Sequence, residues 1–361
     1  MEEFQTMGII LLCTAAAVYL VTPLIKRLSC VIGAVDEPNY RKIHSCPMPR
    51  LGGVAIYLGF AGALVFTQPM GKTETGLLAG CTLIVLTGII DDIWGLSPKA
   101  KLAAQVAAAG ILVSFGITVE FITNPFNNAS GVIFLGKLAV PLTILWIIGV
   151  TNALNLIDGL DGLAAGTSAI AAITMAIVAW VEGGAFIAGF ALILASAVLG
   201  FLPHNFHPAR IFMGDSGSMF LGFTLAALAV LGLTKGAAFI SVFIPIIILG
   251  IPIFDTLYAV IRRYRNHRPI FEADKEHLHH CLLDMGLTHR QTVFAIYGIN
   301  LFLGITAIIL NILSTEKSIM ALIFLVILAW AGMDRIGVPK RKGSPVVNTR
   351  KLDNPSRFKG L

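Results

Sequence analysis

The sequence has little charge for its length. Only 13% of its 361 residues are Asp, Glu, Lys or Arg, whereas 56% are apolar and the mean hydropathy is +0.84. A soluble domain carries about a quarter charged residues. The composition therefore argues against water-facing globular domains and favours a protein whose surface lies largely in lipid.

Paired cysteines and a cleavable leader are also missing. The five cysteines form no CxxC pair and their number is odd, which predicts neither a disulfide framework nor a zinc site. The first six residues include two acidic and no basic side chains, unlike the basic start of a signal peptide. We therefore expect the first apolar run to be retained as a membrane anchor.

Eleven apolar runs dominate the chain, and many approach the roughly 20 residues that span a bilayer as a helix. They lie near residues 7–25, 51–67, 76–90, 100–117, 138–154, 163–181, 185–203, 216–233, 238–261, 292–313 and 318–334. These runs predict an all-α, polytopic membrane helical bundle of about 11 transmembrane helices over residues 1–334. Residues 335–361 are predicted to form a basic, disordered tail, and residues 118–136 a short hairpin outside the membrane.

The distribution of basic residues predicts the orientation. If the C-terminus lies inside, the inner loops hold 22 of the 26 Lys and Arg residues. The positive-inside rule then places the N-terminus outside and the C-terminus inside.

Acidic and amide side chains gather at the ends of these runs on the predicted inner side. Asp91 and Asp92 close the third run, and two adjacent carboxylates suit metal binding or proton abstraction. Asp215 lies at a predicted helix N-cap, where free amides bind phosphate and a carboxylate can hold Mg²⁺. A further set recurs at three-residue intervals, which predicts one helical face: Asn152, Asn155, Asp158 and Asp161. The alternative for each is a helix cap or turn residue.

The inner loops add cations, histidines and an aromatic residue. Arg265 belongs to an arginine cluster suited to phosphate, and Phe212 could stack on a nucleobase or simply pack. The histidines at 277, 279 and 280 suit proton donation or anion contacts, and zinc is disfavoured because carboxylates and amides prefer Mg²⁺. A cationic surface for an anionic lipid headgroup, or merely a topology signal, is predicted from Lys42, His44, Lys99 and Lys101.

Taken together, these motifs resemble the polyprenyl-phosphate N-acetylhexosamine-1-phosphate transferases. They occur in that family's order over residues 36–295. The matching elements are Arg41-Lys42-x-His44, Asp91-Asp92-x-x-Gly95, Asn152-Ala-x-Asn155-x-x-Asp158-Gly-x-Asp161, Phe212-Met-Gly-Asp215 and His277-Leu-His279-His280. The interruption of the histidines by Leu278 resembles the branch that uses UDP-N-acetylglucosamine for teichoic acid linkage units, enterobacterial common antigen or O-antigen.

The resemblance implies a reaction at the cytoplasmic side of the plasma membrane. Undecaprenyl phosphate and UDP-GlcNAc would give undecaprenyl-diphosphate-GlcNAc and UMP. It implies Mg²⁺, with Mn²⁺ as the alternative, held by Asn155 and Asp215, and Asp91 or Asp92 orienting or deprotonating the lipid phosphate. The substrates would be bound by Asn152, Asp158, Asp161, Phe212, Arg265, His277, His279, His280, Lys99, Lys101, Lys42 and His44. The bilayer is the expected environment, no nucleic acid is expected as a partner, and a homodimer is compatible with the family although no sequence feature specifies it.

Several alternatives remain open at the level of sequence. The donor could be UDP-GalNAc or UDP-MurNAc-pentapeptide, and the reaction could proceed by direct attack or through a covalent Asp intermediate. The strongest rival class is a secondary transporter, which also uses intramembrane carboxylates but places them near the bilayer midplane. A lipid-binding scaffold would have no need for four polar side chains in register.

Overall fold

The chain forms α-helices along almost all of its described length. The computed structural model describes residues 2–37, 47–67, 70–123, 132–233, 243–265 and 277–313. The helices are α1 (Glu2–Ile32), α2 (Gly52–Thr67), α3 (Lys72–Trp94), α4 (Pro98–Ser114), α5 (Ala139–Ile157), α6 (Leu163–Val181), α7 (Ala185–Asn205), α8 (Gly214–Leu233), α9 (Phe243–Ile248), α10 (Gly250–Arg265), α11 (Leu278–Asp284) and α12 (His289–Ile312).

Seven of these helices are long and apolar enough to cross a membrane, namely α1, α3, α5, α6, α7, α8 and α12. Ten of the eleven predicted runs fall on described helices, which confirms the all-α polytopic membrane fold. Helices α2 and α4, with 16 and 17 residues, measure about 24–26 Å, less than the ~30 Å hydrocarbon core. The number of crossings and the orientation stay predictions. The run at 318–334 and the tail at 335–361 lie outside the described residues.

One predicted run is divided in the structure. Residues 238–261 were expected to form a single helix, but α9 ends at Ile248 and α10 begins at Gly250. Pro252 lies in the first turn of α10, where the missing N–H is tolerated, whereas a continuous helix would bring its ring against the carbonyl of Ile248. The prediction of one continuous helix is therefore wrong.

Two short antiparallel pairs complete the fold. Strand β1 (Val35–Asp36) pairs with β2 (Met48–Pro49), and β3 (Phe121–Thr123) pairs with β4 (Val132–Phe134). The second pair confirms the hairpin predicted between residues 118 and 136. Its register places Phe121 opposite Phe134, and the two rings meet edge-on with centroids 6.2 Å apart.

Helix α8 lies at the centre of the bundle. In its apolar membrane-spanning stretch 89% of the residues are buried inside the protein, whereas the share for α1 is 22%. Helix α8 packs on α2, α3, α5, α6 and α7. Two glycines let neighbouring backbones touch its first turn. A Cβ atom at Gly88 of α3 would lie 2.3 Å from Cα of Ser216, and one at Gly53 of α2 would lie 2.1 Å from Cα of Gly217. The N-terminus of α8 is thus enclosed by two helices with no room for a methyl group.

We expect Gly88→Ala to lower the thermal stability of the detergent-solubilised protein. The added methyl group meets backbone rather than a side chain that could move aside, and overpacking of this kind costs about 1–3 kcal/mol or more. Thermal unfolding followed by intrinsic fluorescence measures the effect.

The matched control is Gly110→Ala in α4, where a Cβ atom would meet nothing within 4 Å. Because alanine is favoured over glycine in a helix by up to ~1 kcal/mol, its melting temperature should equal or exceed that of the parent. Equal melting temperatures for both variants would contradict the close approach of α3 to α8.

Candidate active site

The carboxylate of Asp92 joins the end of α3 to the start of α8. Its Oδ1 accepts a hydrogen bond from the Asp215 amide at 2.9 Å and its Oδ2 one from the Ser216 amide at 3.1 Å. These bonds satisfy two amides that a helix N-terminus otherwise leaves unpaired. The prediction that Asp215 is the N-cap is wrong, because Asp215 lies in the first turn of α8 and Asp92 caps this turn from a different helix.

Lys101 of α4 lies between two further carboxylates. Its Nζ atom is 2.7 Å from Oδ2 of Asp91 and 2.6 Å from Oδ2 of Asp215. Asp91 also accepts a hydrogen bond from the amide of Leu96 at 2.6 Å. The ammonium group therefore lies between two carboxylates and offsets part of their mutual repulsion.

Arg50, which follows β2, supplies a second cation. Its Nε lies 3.5 Å from Oδ1 of Asp92, and its Nη1 lies 3.3 Å from Oδ1 of Asp36. The neighbouring Pro49 carbonyl accepts a hydrogen bond from the Phe212 amide at 2.8 Å. The short β1–β2 pair therefore holds both a cation and the segment that leads into α8.

The set at 152–161 does not form one helical row. Helix α5 ends at Ile157, so that only Asn152 and Asn155 lie on it, and Asp158 is its C-cap. Asn152 donates to Oε1 of Gln105 at 2.8 Å, whereas Asn155 donates to Oγ of Ser218 at 2.9 Å. Ser218 follows Asp215 by one helical turn, which brings Asn155 to the same face of α8.

Negative charge exceeds positive charge in this part of the structure. Counting Asp158 and Asp36, five carboxylates accompany the two cations Lys101 and Arg50, a formal surplus of three negative charges. Burial, followed by the negative charges of Asp215 and Asp92, raises the pKa of Asp158 to about 8. The site therefore favours either a bound proton or a bound cation.

The side chains that converge here fit Mg²⁺. A hard divalent cation prefers oxygen ligands. The candidate metal-ligating atoms here are oxygens of the Asp91 and Asp215 carboxylates, the Asn155 amide and the hydroxyls of Ser216 and Ser218. The Ser216 hydroxyl is buried and has no hydrogen-bond partner among the described residues.

The histidine motif begins at a second interhelical cap. Asp255 of α10 contacts Nδ1 of His277 at 2.8 Å and accepts a hydrogen bond from the Leu278 amide at 2.8 Å. His279 packs on Gly159, where a Cβ atom would lie 2.5 Å from Nε2 of the ring. Burial, with the nearby charge of His280 second, lowers the pKa of His279 to about 3. His279 is therefore a neutral imidazole at pH 7 in the substrate-free protein.

The other predicted residues are spread over the inner-side loops. Lys99 is exposed, unlike Lys101, and Phe212 is half-buried at the start of the segment that enters α8. Arg265 is exposed at the end of α10, and no ion pair joins it to the carboxylates within the described ranges. The ring of His280 packs against that of His279 with centroids 4.3 Å apart and planes tilted by 41°. Lys42 and His44 lie outside the described residues.

Four residues of this region were given no role from the sequence, namely Arg50, Asp255, His207 and His289. Asp161 contacts Nδ1 of His207 at 2.8 Å and accepts a hydrogen bond from the Ala209 amide at 3.1 Å. No spacing rule connects such distant positions, so only the fold brings them together.

Comparisons with known proteins identify the family. The family model described as glycosyl transferase family 4 matches residues 75–233, which include Asp91, Asp92, Asp158 and Asp215. A Bacillus subtilis relative, a probable undecaprenyl-phosphate N-acetylglucosaminyl 1-phosphate transferase, is 44% identical over 329 residues and 91% of each chain. The chain belongs to glycosyl transferase family 4.

More distant relatives agree with this membership. A decaprenyl-phosphate N-acetylglucosaminephosphotransferase of Mycobacterium tuberculosis is 35% identical over 84% of this chain and 81% of its own. An undecaprenyl-phosphate alpha-N-acetylglucosaminyl 1-phosphate transferase of Escherichia coli K12 is 29% identical over 72% of both chains. The resemblance drawn from the motifs to polyprenyl-phosphate N-acetylhexosamine-1-phosphate transferases is confirmed.

Asp158→Asn should stabilise the metal-free transferase at high pH. The pKa of Asp158 is about 8 in the folded protein, against the ordinary value of 3.8 that applies to the unfolded chain. Between about pH 4 and pH 8 the unfolded chain has therefore lost the Asp158 proton while the folded protein keeps it. The folded state loses stability as the pH rises through this range. Asp158→Asn has no carboxyl group to titrate here, so its stability should not fall in this way. The melting temperature of the variant should exceed that of the parent by a margin that grows from pH 5 to pH 8 and levels off above pH 9. Each kcal/mol of stability corresponds to about 2–4 °C.

Glu120→Gln, which removes an exposed carboxylate before β3, serves as the control and should track the parent at each pH. Added Mg²⁺ should stabilise the parent more than Asp158→Asn at pH 8, since the ion and the proton relieve the same surplus of charge. Parallel pH profiles for the parent and Asp158→Asn would contradict this account.

Proposed function

We propose that this transferase moves GlcNAc-1-phosphate from UDP-GlcNAc to undecaprenyl phosphate and releases UMP. Relatives across three bacterial groups carry names for this transfer to a polyprenyl phosphate. One structural observation carries the proposal for this chain. Lys101 bridges Asp91 and Asp215 beside the capped N-terminus of α8, which gathers acidic, cationic and amide groups at one point.

The placement of the carboxylates favours a transferase over a secondary transporter. Asp91 and Asp92 lie in the last turn of α3, Asp158 caps the end of α5, and Asp215 lies in the first turn of α8. A transporter site lies near the bilayer midplane, within its spans. A site at helix ends instead allows a lipid phosphate and a water-soluble nucleotide sugar to meet at the membrane surface.

Direct attack by the lipid phosphate fits the hydrogen bonding of the two candidate bases. A phosphate oxygen of the lipid would form a bond to the phosphorus next to the sugar, and the bond from that phosphorus to the bridging oxygen would break, with UMP keeping the electron pair. Asp92 uses both oxygens to cap α8 and its side chain is 0% exposed. The oxygens of Asp91 are also engaged, by the Leu96 amide and Lys101, but its side chain is 8% exposed. We therefore assign Asp91 the role of orienting or deprotonating the lipid phosphate.

The proposed metal is Mg²⁺, held by Asp215 and Asn155 with support from the neighbouring oxygen donors. When bound, it would neutralise charge on the diphosphate. Lys101 offsets negative charge on Asp91 and Asp215, and Arg50 does the same for Asp92. Phosphoryl transfer needs mostly positioning and charge neutralisation, and these side chains supply both.

The donor would lie over the loop between α5 and α6. Asp158, Asp161 and Phe212 are proposed to surround the uridine, and the α11 histidines to contact the sugar and diphosphate. His279 would act as a neutral hydrogen-bonding group. Because nucleotide sugars are cytosolic, we place this face in the cytoplasm and the protein in the plasma membrane, in agreement with the positive-inside bias. Teichoic acid or a related surface polysaccharide is the proposed destination of the product.

Purified full-length protein should release UMP from UDP-GlcNAc only when undecaprenyl phosphate and Mg²⁺ are both present. Radiolabelled GlcNAc should move into the lipid fraction in equal amount. Asp215→Ala should reduce turnover by about 100-fold or more, since it removes a charged group from a preorganised site. Near-normal Mg²⁺-dependent turnover by this variant would refute the metal assignment.

The donor is identified by supplying UDP-GalNAc and UDP-MurNAc-pentapeptide in turn and comparing the kcat/KM of each with that of UDP-GlcNAc. Faster use of either one would replace UDP-GlcNAc in the proposal while leaving the chemistry intact. Absence of UMP release with every donor would refute the proposed reaction.

Lys101→Met should lower kcat by about 100-fold or more, because Asp91 and Asp215 would then face each other without a shared cation. Lys72→Met is the control, since Lys72 is exposed in the first turn of α3 at the opposite end from Asp91. Lys101→Arg keeps the charge and should recover part of the lost rate. Full activity of Lys101→Met would show that the bridge is not required.

A further inference from the structure

A second group of potential metal ligands lies beside the carboxylate cluster. Asp161 from the loop after α5, His207 from the loop after α7 and His289 at the start of α12 come together, with one ligand atom from each within 4.8 Å of the others. Their sequence separations of 46 and 82 residues show that the tertiary fold assembles the group. The site is partly open, since the side chains of His207 and Asp161 are 37% and 17% exposed.

The two imidazoles are held in an ordered arrangement. Nδ1 of His207 lies 2.8 Å from Oδ2 of Asp161, and the rings of His207 and His289 stack with centroids 4.1 Å apart and planes 19° apart. The guanidinium of Arg290 donates to the main-chain carbonyl of His207 at 2.9 and 3.2 Å. Helix α12 therefore fixes the loop that carries His207 through a contact with the main chain, separate from the imidazole ring.

His289 presents a buried nitrogen. Its Nε2 has no hydrogen-bond partner among the residues that the structure describes. In a neutral imidazole with its proton on Nδ1, this nitrogen carries a lone pair that is available to a metal.

From this geometry we propose that Asp161, His207 and His289 bind a divalent transition-metal ion of the Zn²⁺ class. Two imidazoles and one carboxylate are a ligand set that zinc accepts, with a water molecule in the fourth position. Tetrahedral ligand atoms at about 2.0–2.1 Å from zinc lie roughly 3.3 Å apart. The 2.8 Å pair of His207 and Asp161 would thus open by about half an ångström. One of the two stacked rings would also turn, because nearly parallel imidazoles do not direct their in-plane lone pairs at one point.

This site differs in chemistry from the oxygen-only site around Asp215. Mg²⁺ prefers oxygen ligands, whereas imidazole ligands favour Zn²⁺ and its neighbours in the transition series. The two sites should therefore fill independently. The inference extends beyond the proposed transfer reaction, and its test does not depend on that reaction, although Asp161 would then serve both the ion and the proposed uridine site.

The test uses full-length protein in detergent, purified without a polyhistidine tag and freed of metal by chelation. Co²⁺ is titrated in the presence of millimolar Mg²⁺, and the visible absorption of tetrahedral Co²⁺ is recorded. Zn²⁺ is then added to displace it. We expect the protein to bind about one equivalent of Co²⁺ even though millimolar Mg²⁺ is present. Added Zn²⁺ should displace the bound Co²⁺. His207→Gln and His289→Gln should each weaken binding by at least about tenfold.

His280→Gln is the matched control, because it removes an imidazole from the neighbouring α11 motif and should leave Co²⁺ binding unchanged. Thermal unfolding separates lost ligands from lost fold. Zn²⁺ should raise the melting temperature of the parent and of His280→Gln, but not that of His289→Gln, whose metal-free melting temperature should match the parent's.

Absence of Co²⁺ and Zn²⁺ binding to the parent would overturn the proposal. So would binding that survives the double variant His207→Gln/His289→Gln, or binding that disappears in His280→Gln, which would place the ion at α11. UMP release is not part of these readouts, so failure of the transferase assay would leave this result intact.

Discussion

The buried carboxylate of Asp92 is the interaction on which the candidate site depends. A negative charge at the C-terminal end of α3 is unfavourable alone, and its removal from water is costly unless it is paired and hydrogen-bonded. Two amides of α8, the positive end of that helix and Arg50 offset this cost. Because the same bonds fix the first turn of α8, they also fix Asp215, and Gly53 and Gly88 allow the close backbone contact that this geometry needs.

A surplus of negative charge follows from this construction. Asp92 is committed to capping, Lys101 is shared between Asp91 and Asp215, and Asp158 lies within their field with its pKa raised to about 8. Perturbed carboxylates of this kind concentrate where ligands bind. The uncompensated charge costs local stability, and the proposed divalent cation would offset that cost. The structural cost is therefore an argument for function.

The sequence predicted the spans and the acidic motifs well, because apolar runs and charge at their ends are local properties. It placed Asp92, Asn155 and Asp215 on one side of the membrane from the ends of the apolar runs, and the family resemblance assigned them to one site. The sequence did not predict contacts in which a side chain of one helix caps the end of another. The N-terminus of α8 is capped by Asp92, which lies 123 residues before Asp215 along the chain. Three-residue spacing suggested a single row from Asn152 onward, but α5 stops at Ile157 and the remaining residues follow the loop.

The histidines show why residue type alone does not assign electrostatic roles. The sequence suggested that the α11 histidines contact a diphosphate, yet burial against Gly159 lowers the pKa of His279 to about 3 and keeps that ring neutral. Positive charge for a phosphate must then come from the lysine and arginine side chains or from a bound cation. A neutral imidazole instead offers a lone pair, which can bind a metal ion but not a phosphate. For this reason the unpaired Nε2 of His289 supports a metal site rather than a phosphate site.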